Sequence, residues 1–517
     1  VNFLLNKSSS PLIPLEDFDH FKSINMSKTF DVIIVGAGIS GINAAYRIQS
    51  QLPGYSYAIL EARDDLGGTW DLFKYPGIRS DSDLFTFGFQ FNPWPADNPI
   101  AEGSAIKEYV RSTAKKFNIH ENILFKHYLK AADWSSESNS WSLTVDADGD
   151  QTFTARYVIF GTGYYNYHEP LKAEIPGIDA FEGQIVHPQF WPEDLQYKNK
   201  KVVIIGSGAT AVTLLPNLAE QAERVTMLQR SPTYILSLPN RTNSRWLSYI
   251  LPNSLYTRLQ RVIWIWTSRI FFLFCQRFPN FSRWLLKMNV KKQLPNHISY
   301  DPHFKPRYNP WDQRLCICPD GDLFRSLRQG KADVKTDTIQ QVTKNGIVLS
   351  SGEKLDADII ITATGLRLQI AGGAKLSVDG KKIDVGDKYL WNGVMLQDTP
   401  NAAFVIGYTN ASWTLGADAT AQFVCRLLKS LESRKLIAAT PKLKDKDAAT
   451  LQDRKLLNLN STYVSIAERV LPKAADRGPW QPRDHYLKDI KFAQGGDIDT
   501  GLEFVQGPSL RLRPKIA

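Results

Sequence analysis

The sequence predicts an α/β fold with two Rossmann-like dinucleotide-binding domains, the second carrying a helical insertion. Three observations predict it. The β-branched run DVIIV leads directly into the glycine turn GAGISG at 36–41, and a second run, VVIIG, leads into GSGATA at 206–211. Each unit is followed by a hairpin signal and an apolar strand ending in Thr-Gly, YVIFGTG in the first copy and DIIITATG in the second. Strand, glycine turn and helix in that order form a cradle for a pyrophosphate.

The elements follow in chain order. Residues 1–26 are expected to be a disordered leader, because Met26 directly precedes SKTFDVIIVGAG and is the expected natural start. Residues 27–165 form the first part of one nucleotide domain. DVIIV is its buried strand, the helix after GAGISG runs to about Gln51, Pro53–Gly54 breaks it, and YAILEA returns. Residues 125–165 read as a small antiparallel element with Asp148–Gly149 as its hairpin turn. Residues 166–385 form the second nucleotide domain, with Ser351–Gly352 marking its hairpin and the helical insert at about 238–305. Residues 386–517 return to the first domain through AAFVIGYTN and the helix ATAQFVCRLLKSLE, then run into a tail with no legible pattern.

Composition narrows the class. Hydrophobic residues make up 43% and charged residues 22%, as in an ordinary globular protein. No basic region followed by an apolar run opens the chain, so a cytoplasmic location is expected. The net charge of +10 is concentrated: residues 241–300 contain ten Lys or Arg and no Asp or Glu, beside a dozen aromatics. The longest apolar portion there, VIWIWTSRIFFLFC, is interrupted by Arg269 and is too short to span a bilayer. One reading is a helical subdomain with a core of aromatics and a solvated charged face. The other is an interfacial helix pair that associates peripherally with a membrane. No nucleic-acid-binding motif accompanies the charge.

The two turns predict different ligands. Gly36, Gly38 and Gly41, with Ser40 between them, fit GxGxxG. Glu61 ends the second strand, where a carboxylate accepts from ribose hydroxyls and repels a 2′-phosphate, so this cradle takes FAD or NAD. The second turn reads Gly206, Ser207, Gly208, Ala209, Thr210, Ala211, and its second strand ends on Arg230 and Ser231. A guanidinium fork suits a phosphate, so this cradle prefers NADPH. The pair implies electron flow from NADPH to a bound FAD.

Cys275, Cys316, Cys318 and Cys425 form no CxxC pair and no metal-ligand spacing, so no metal is expected. Cys316 and Cys318 are expected on the two faces of one strand. Without a cysteine pair near the first cradle, oxygen chemistry is favoured over disulfide reduction.

GGTWDLFKYPGIRSDSD, from Gly67 to Asp83, resembles the FAD-side signature of Baeyer–Villiger monooxygenases. FEGQIVHPQFWP resembles their fingerprint FxGxxxHxxxWP, through Phe181, Gly183, His187, Trp191 and Pro192. The resemblance runs from about 30 to 430. It is strongest to the branch containing a mycobacterial thioamide-activating monooxygenase and an Acinetobacter monooxygenase of long-chain alkane degradation. It implies an NADPH- and O2-dependent enzyme that forms a C4a-peroxyflavin and converts hydrophobic ketones to esters or lactones. Sulfides or thioamides are implied as further substrates. It assigns Arg314 as the essential cation, Asp81 as the carboxylate that positions it, and Thr69, Trp70, Asp71 and Leu129 as FAD neighbours. His187 and Trp191 lie where the chain passes from the first domain to the second, where a His–aromatic cluster can couple their movement. His187 is expected there as a structural hydrogen-bonder or, alternatively, as a residue that affects nicotinamide positioning. Several members carry Lys immediately before the catalytic Arg; here the residue is Gln313, which implies altered 2′-phosphate contacts. Two other outcomes stay open: an N- or S-oxygenating enzyme without ester formation, and an NADPH-oxidising sensor or binding flavoprotein.

Overall fold

Thr29–Val35 is the centre of the first half. It pairs in parallel with Tyr57–Leu60 on one side and with Asp150–Phe160 on the other. Val32, Ile33 and Ile34 lose all contact with solvent, as a strand covered on both faces must. The computed structural model describes residues 28–507 apart from 243, 445–447, 458 and 468. The expected leader therefore lies outside the described residues.

The strands Tyr128–Ser135, Ser140–Asp146 and Asp150–Phe160 form an antiparallel meander. Asp148 and Gly149 both take positive φ at its second turn, 54° and 121°. The meander is not a separate small element as expected. Its last strand continues past the hairpin to pair with Thr29–Val35 and with Ala402–Phe404, which fuses everything into one nine-stranded sheet.

The second half is built on a five-stranded, wholly parallel sheet. Its order is Ala332–Thr336, Arg224–Gln229, Lys201–Ile205, Ile359–Thr362, Gln184–Val186. Its hairpin, Gly346–Leu349 with Lys354–Asp356, turns at Gly352. The insertion leaves through Ile235–Leu238 and returns through Cys316–Pro319, and these two strands pair in parallel at its neck. Cys316 and Cys318 are both buried, on one face of that strand and not on two, because residues two apart point the same way.

The insertion consists mainly of two helices, Asn253–Arg277 and Pro279–Lys291. Arg261 anchors it: its Nη1 donates to the carbonyls of Phe85 (3.0 Å) and Gly88 (2.7 Å) in the first half. The unpatterned tail folds back on the first half. Leu436–Pro441 pairs with Leu502–Gln506, and the helix Tyr486–Gly495 packs on Trp413–Ser433. No helix among the described residues is long and apolar enough to cross a membrane.

Helix Trp413–Ser433 is locked to the first cradle's helix, Ile39–Gln51, by a buried carboxylate. Asp418 is 1% exposed and accepts from Arg47 Nε at 2.8 Å, Asn43 Nδ2 at 3.3 Å and Gln422 Nε2 at 2.8 Å. Removing it strands the guanidinium, and breaking such a pair costs about 3–5 kcal/mol. Asp418→Ala is expected to lower the urea midpoint of the first half accordingly, followed by tryptophan fluorescence.

Candidate functional site

The first cradle is a close fit of backbone on backbone. Gly36 takes φ +97°, and a Cβ there would lie 3.0 Å from Gly161 O. A Cβ on Gly41 would lie 1.9 Å from Gly36 O, so only glycine lets the helix start this close to the strand. Gly38 caps helix Ile39–Gln51 with no side-chain bond, which leaves the first N–H groups to an outside acceptor. A Cβ on it would fill the slot facing Gly68. Glu61 is buried, accepting from Ala37 N at 2.6 Å and Arg63 N at 3.0 Å. Burial pushes its carboxyl above the ordinary range despite those two bonds. Ser40 is buried and its Oγ accepts from Trp413 Nε1 at 2.9 Å, so it ties the cradle to the returning helix. These glycines and Glu61 fit a dinucleotide without a 2′-phosphate.

The neighbours implied for that ligand are distributed unequally. Asp71 is paired with Arg63 Nε at 2.6 Å and Lys107 Nζ at 2.5 Å. Thr69 lies 3.4 Å from the Tyr167 hydroxyl, and Trp70 meets the edge of Phe87. Leu129 is buried in the core beside Leu60 and Val145, so it has only its backbone to offer a ligand.

The second cradle is more open. Gly206 needs φ +144°, and a Cβ there would lie 2.3 Å from Ala363 O. Nothing lies within 4 Å of a Cβ on Gly208. Ala209 and Thr210 begin the helix, and Ala211 is buried under it. Ser207 Oγ donates to Ser231 O at 2.9 Å, which holds the turn against the exposed Arg230–Ser231 pair. Gln313 Nε2 reaches Asn460 O at 3.5 Å, in the tail. An open turn beside an exposed guanidinium and hydroxyl fits a dinucleotide with a 2′-phosphate.

The duplicated Thr-Gly ends have one physical purpose. Gly161 and Ala363 are the residues against which Gly36 and Gly206 close. Each such strand pairs with the strand that leads into its cradle.

The two halves interlock through the 67–83 segment. Leu72, Phe73 and Tyr75 pack into the second half's core with Ala211, Leu214 and Leu215. The Tyr75 hydroxyl bonds Thr210. Arg79 pairs with Asp322. Asp83 caps the helix Leu84–Phe87, accepting from Thr86 N at 2.7 Å. That leaves Asp81 for another partner: its Oδ2 accepts from Arg314 Nη1 at 2.8 Å.

Arg314 Nη2 donates to the Tyr164 hydroxyl at 3.3 Å, and Nε is buried with no protein partner. Tyr164 accepts from Tyr165 at 2.7 Å and stacks on Trp413 at 5.0 Å. Tyr164 and Asp81 hold the guanidinium far above its ordinary pKa, against the cost of burial. The turn that carries Arg314 is held open by Trp311, at φ 75°, whose ring meets Phe272 of the insertion at 5.6 Å. Trp311 and Asp312 line a cavity of about 250 Å³ together with Phe272, Asn410, Asn460 and Arg483. Sequence reasoning missed Tyr164, although it directly follows the first Thr-Gly end. It also missed Arg483, for which the tail carries no signal.

The 181–192 segment is less a linker than an edge strand. Gln184–Val186 pairs with Ile359–Ile361 in the second sheet. Phe181 is buried, and a Cβ on Gly183 would lie 2.4 Å from Asp358 O and 2.6 Å from the Phe181 ring. Trp191 packs on the same core as Tyr75. His187 Nδ1 accepts from Gln189 N at 3.2 Å, so Nε2 carries the proton of the neutral ring, and Nε2 is buried without a protein partner. Burial holds the imidazole below its ordinary pKa of 6.5.

Comparison with known proteins gives a consistent result. The family model described as flavin-binding monooxygenase-like matches residues 29–470. The FAD-containing monooxygenase EthA of Mycobacterium tuberculosis is 45% identical over 94% of this chain and 99% of its own length. The probable FAD-binding monooxygenase AlmA of Acinetobacter baylyi is 44% identical over 92% and 96%. Among solved structures, a steroid monooxygenase bound to NADP superposes with TM-score 0.74 at 19% identity, over 93% of this chain and all of that one. An open cyclohexanone monooxygenase superposes with TM-score 0.72 at 19% identity, over 92% and 99%. These two share the fold.

Gly41→Ala is expected to abolish dinucleotide retention in the first cradle, seen as loss of flavin absorbance from purified protein with its circular dichroism unchanged. The His187 shift predicts an acid effect. Its contribution is intact above about pH 6.5 and is lost as pH falls through the depressed folded value, because the unfolded chain takes up the proton first. His187→Gln is expected to flatten the fall in thermal midpoint below pH 6.5, measured by differential scanning fluorimetry across pH.

Proposed function

The chain belongs to the flavin-binding monooxygenase-like family, and from that premise we propose that it is a Baeyer–Villiger monooxygenase converting hydrophobic ketones to esters or lactones with NADPH and O2. The observation that carries this reading is the Arg314 guanidinium, held by Asp81 and Tyr164 with Nε unpaired, on the turn whose Trp311 and Asp312 line the cavity.

Gly36, Gly38, Gly41 and Glu61 hold FAD, and Gly206, Gly208, Arg230 and Ser231 hold NADPH. When bound, FAD supplies the redox chemistry that accepts hydride and activates dioxygen. The chain's own residues supply charge, orientation and dryness. Arg314 stabilises negative charge developing on oxygen and keeps its own proton at working pH. Asp81 fixes the direction of its fork, and the Tyr164 hydroxyl fixes the other limb. Trp311 and Phe272 of the insertion helix line the cavity next to the Arg314 turn. Phe272, Ile406, Leu456 and Leu457 offer apolar walls to the carbon skeleton, while Asn410 and Asn460 mark a polar end for a carbonyl. Sulfides and thioamides are further candidates for the same cavity, since oxygen transfer to sulfur needs no ester rearrangement.

The cysteines do not support disulfide chemistry. All four are free and buried, and burial pushes the Cys316 thiol up to about 12.

Arg314→Ala is expected to keep FAD and still oxidise NADPH, while ester formation falls by about 10²–10³-fold, the usual loss for one charge-stabilising donor. NADPH consumed should then appear as hydrogen peroxide. A substrate carrying both a ketone and a thioether decides the product class in the unaltered enzyme. Ester supports the proposal, and S-oxide alone replaces it with heteroatom oxygenation. Peroxide equal to NADPH consumed across a broad ketone panel would instead indicate a sensor or binding flavoprotein.

A further inference from the structure

The insertion turns its apolar residues outward. Among the described residues, thirteen of the nineteen exposed large apolar side chains fall between Trp246 and Met288, so the excess belongs to one element and not to the surface at large. On helix Asn253–Arg277 they form one stripe at helical spacing: Leu255, Val262, Trp266, Ile270, Leu273. On helix Pro279–Lys291 a second stripe reads Phe281, Trp284, Leu285, Met288. Phe278, 51% exposed, joins the two. Of the dozen aromatics in residues 241–300, six are exposed: Trp246, Tyr249, Trp266, Phe278, Phe281 and Trp284. Half of the segment's aromatics thus form a surface rather than a core.

The charge that the segment itself contributes has one sign. Arg258, Arg277, Lys287, Lys291 and Lys292 are exposed, and residues 241–300 contain no acidic side chain. A second copy of this chain is a poor occupant. A two-fold contact sets the same patch against itself and would bring these cations together with no anion between them. Exposed tryptophan and phenylalanine rimmed by lysine and arginine fit the boundary between lipid headgroups and acyl chains.

The first of these helices has a second, inward face. Phe272 and Gln276 line the large cavity beside the Arg314 turn, and Trp264, Ile265 and Ser268 line a small one that also touches Ser412. One helix thus carries the outer apolar stripe and a wall of the site.

We propose that the helical hairpin 253–291 docks on an anionic lipid bilayer, seating its outer stripes at the acyl boundary, and that substrates dissolved in that lipid reach the cavity past the inner face of the same helix. The docking stands on the surface alone. The identity of what is taken up rests on the monooxygenase reading above.

The test uses the full flavin-loaded chain and sedimentation with vesicles of phosphatidylcholine alone or with 30% phosphatidylglycerol. Binding to the anionic vesicles is expected to exceed that to neutral ones by fivefold or more and to weaken as salt rises. The double variant Trp266→Ser, Trp284→Ser should lose this binding while keeping its flavin and its thermal midpoint. The milder Trp266→Tyr, Trp284→Tyr should retain most of it. Equal binding to both vesicle types, or none to either, overturns the proposal. So does a discrete dimer in analytical ultracentrifugation that the serine variant dissociates without any vesicle binding. A vesicle-free assay with a short water-soluble ketone tests the catalytic reading separately. Absence of ester there removes that reading and leaves sedimentation to decide the docking.

Discussion

One guanidinium is shared by both halves of the molecule. Arg314 stands on the second half, and the groups that hold it, Asp81 and Tyr164, stand on the first. Its position is therefore a property of how the halves fit, and much of the structure bears on that fit. The 67–83 segment is sunk into the second half's core, Arg79 grips Asp322, and Trp311 braces the Arg314 turn on the insertion. A cation fixed in this way keeps its direction before any substrate arrives, and a preorganised charge costs no rearrangement when negative charge develops.

The two cradles share a plan and differ in closure. In the first, Glu61 is buried, Gly38 faces Gly68, and Trp413 reaches across to Ser40. In the second, Gly208 looks onto open space, and Arg230 and Ser231 are exposed. A closed cradle suits a nucleotide that stays through many turnovers. An open one suits a nucleotide that must leave.

The parts legible in the sequence are those where backbone geometry dictates residue type. Glycines that touch a facing carbonyl, and β-branched runs covered on both faces, leave a pattern no other fold element shares. The unreadable parts have weaker physical signatures. A three-residue edge strand such as Gln184–Val186 has too few residues for a period, so it looked like a linker. In SDSD, residues 80–83, two carboxylates compete for the roles of cap and counter-ion, and only the turn's direction gives Asp83 the first and Asp81 the second. The alternation in LCIC suggests opposite faces for Cys316 and Cys318, whereas strand geometry puts residues two apart on the same face. For the insertion's aromatics the sequence leaves both a core and an interfacial face open, because periodicity reveals that a helix has two faces, not which of them meets solvent.

The tail holds the least pattern and sits at a decisive place. Arg483 donates to the carbonyls of Ile406 and Gly416, both at 2.9 Å, and to Thr420 Oγ1, while also lining the large cavity. The last sixty residues of such a chain would ordinarily be the first to be trimmed or fused to a tag. Here Asn460, Pro482, Arg483 and Asp484 line the cavity next to the Arg314 turn. If that cavity takes substrate as proposed, drift in these four positions can reshape what fits without touching either nucleotide turn.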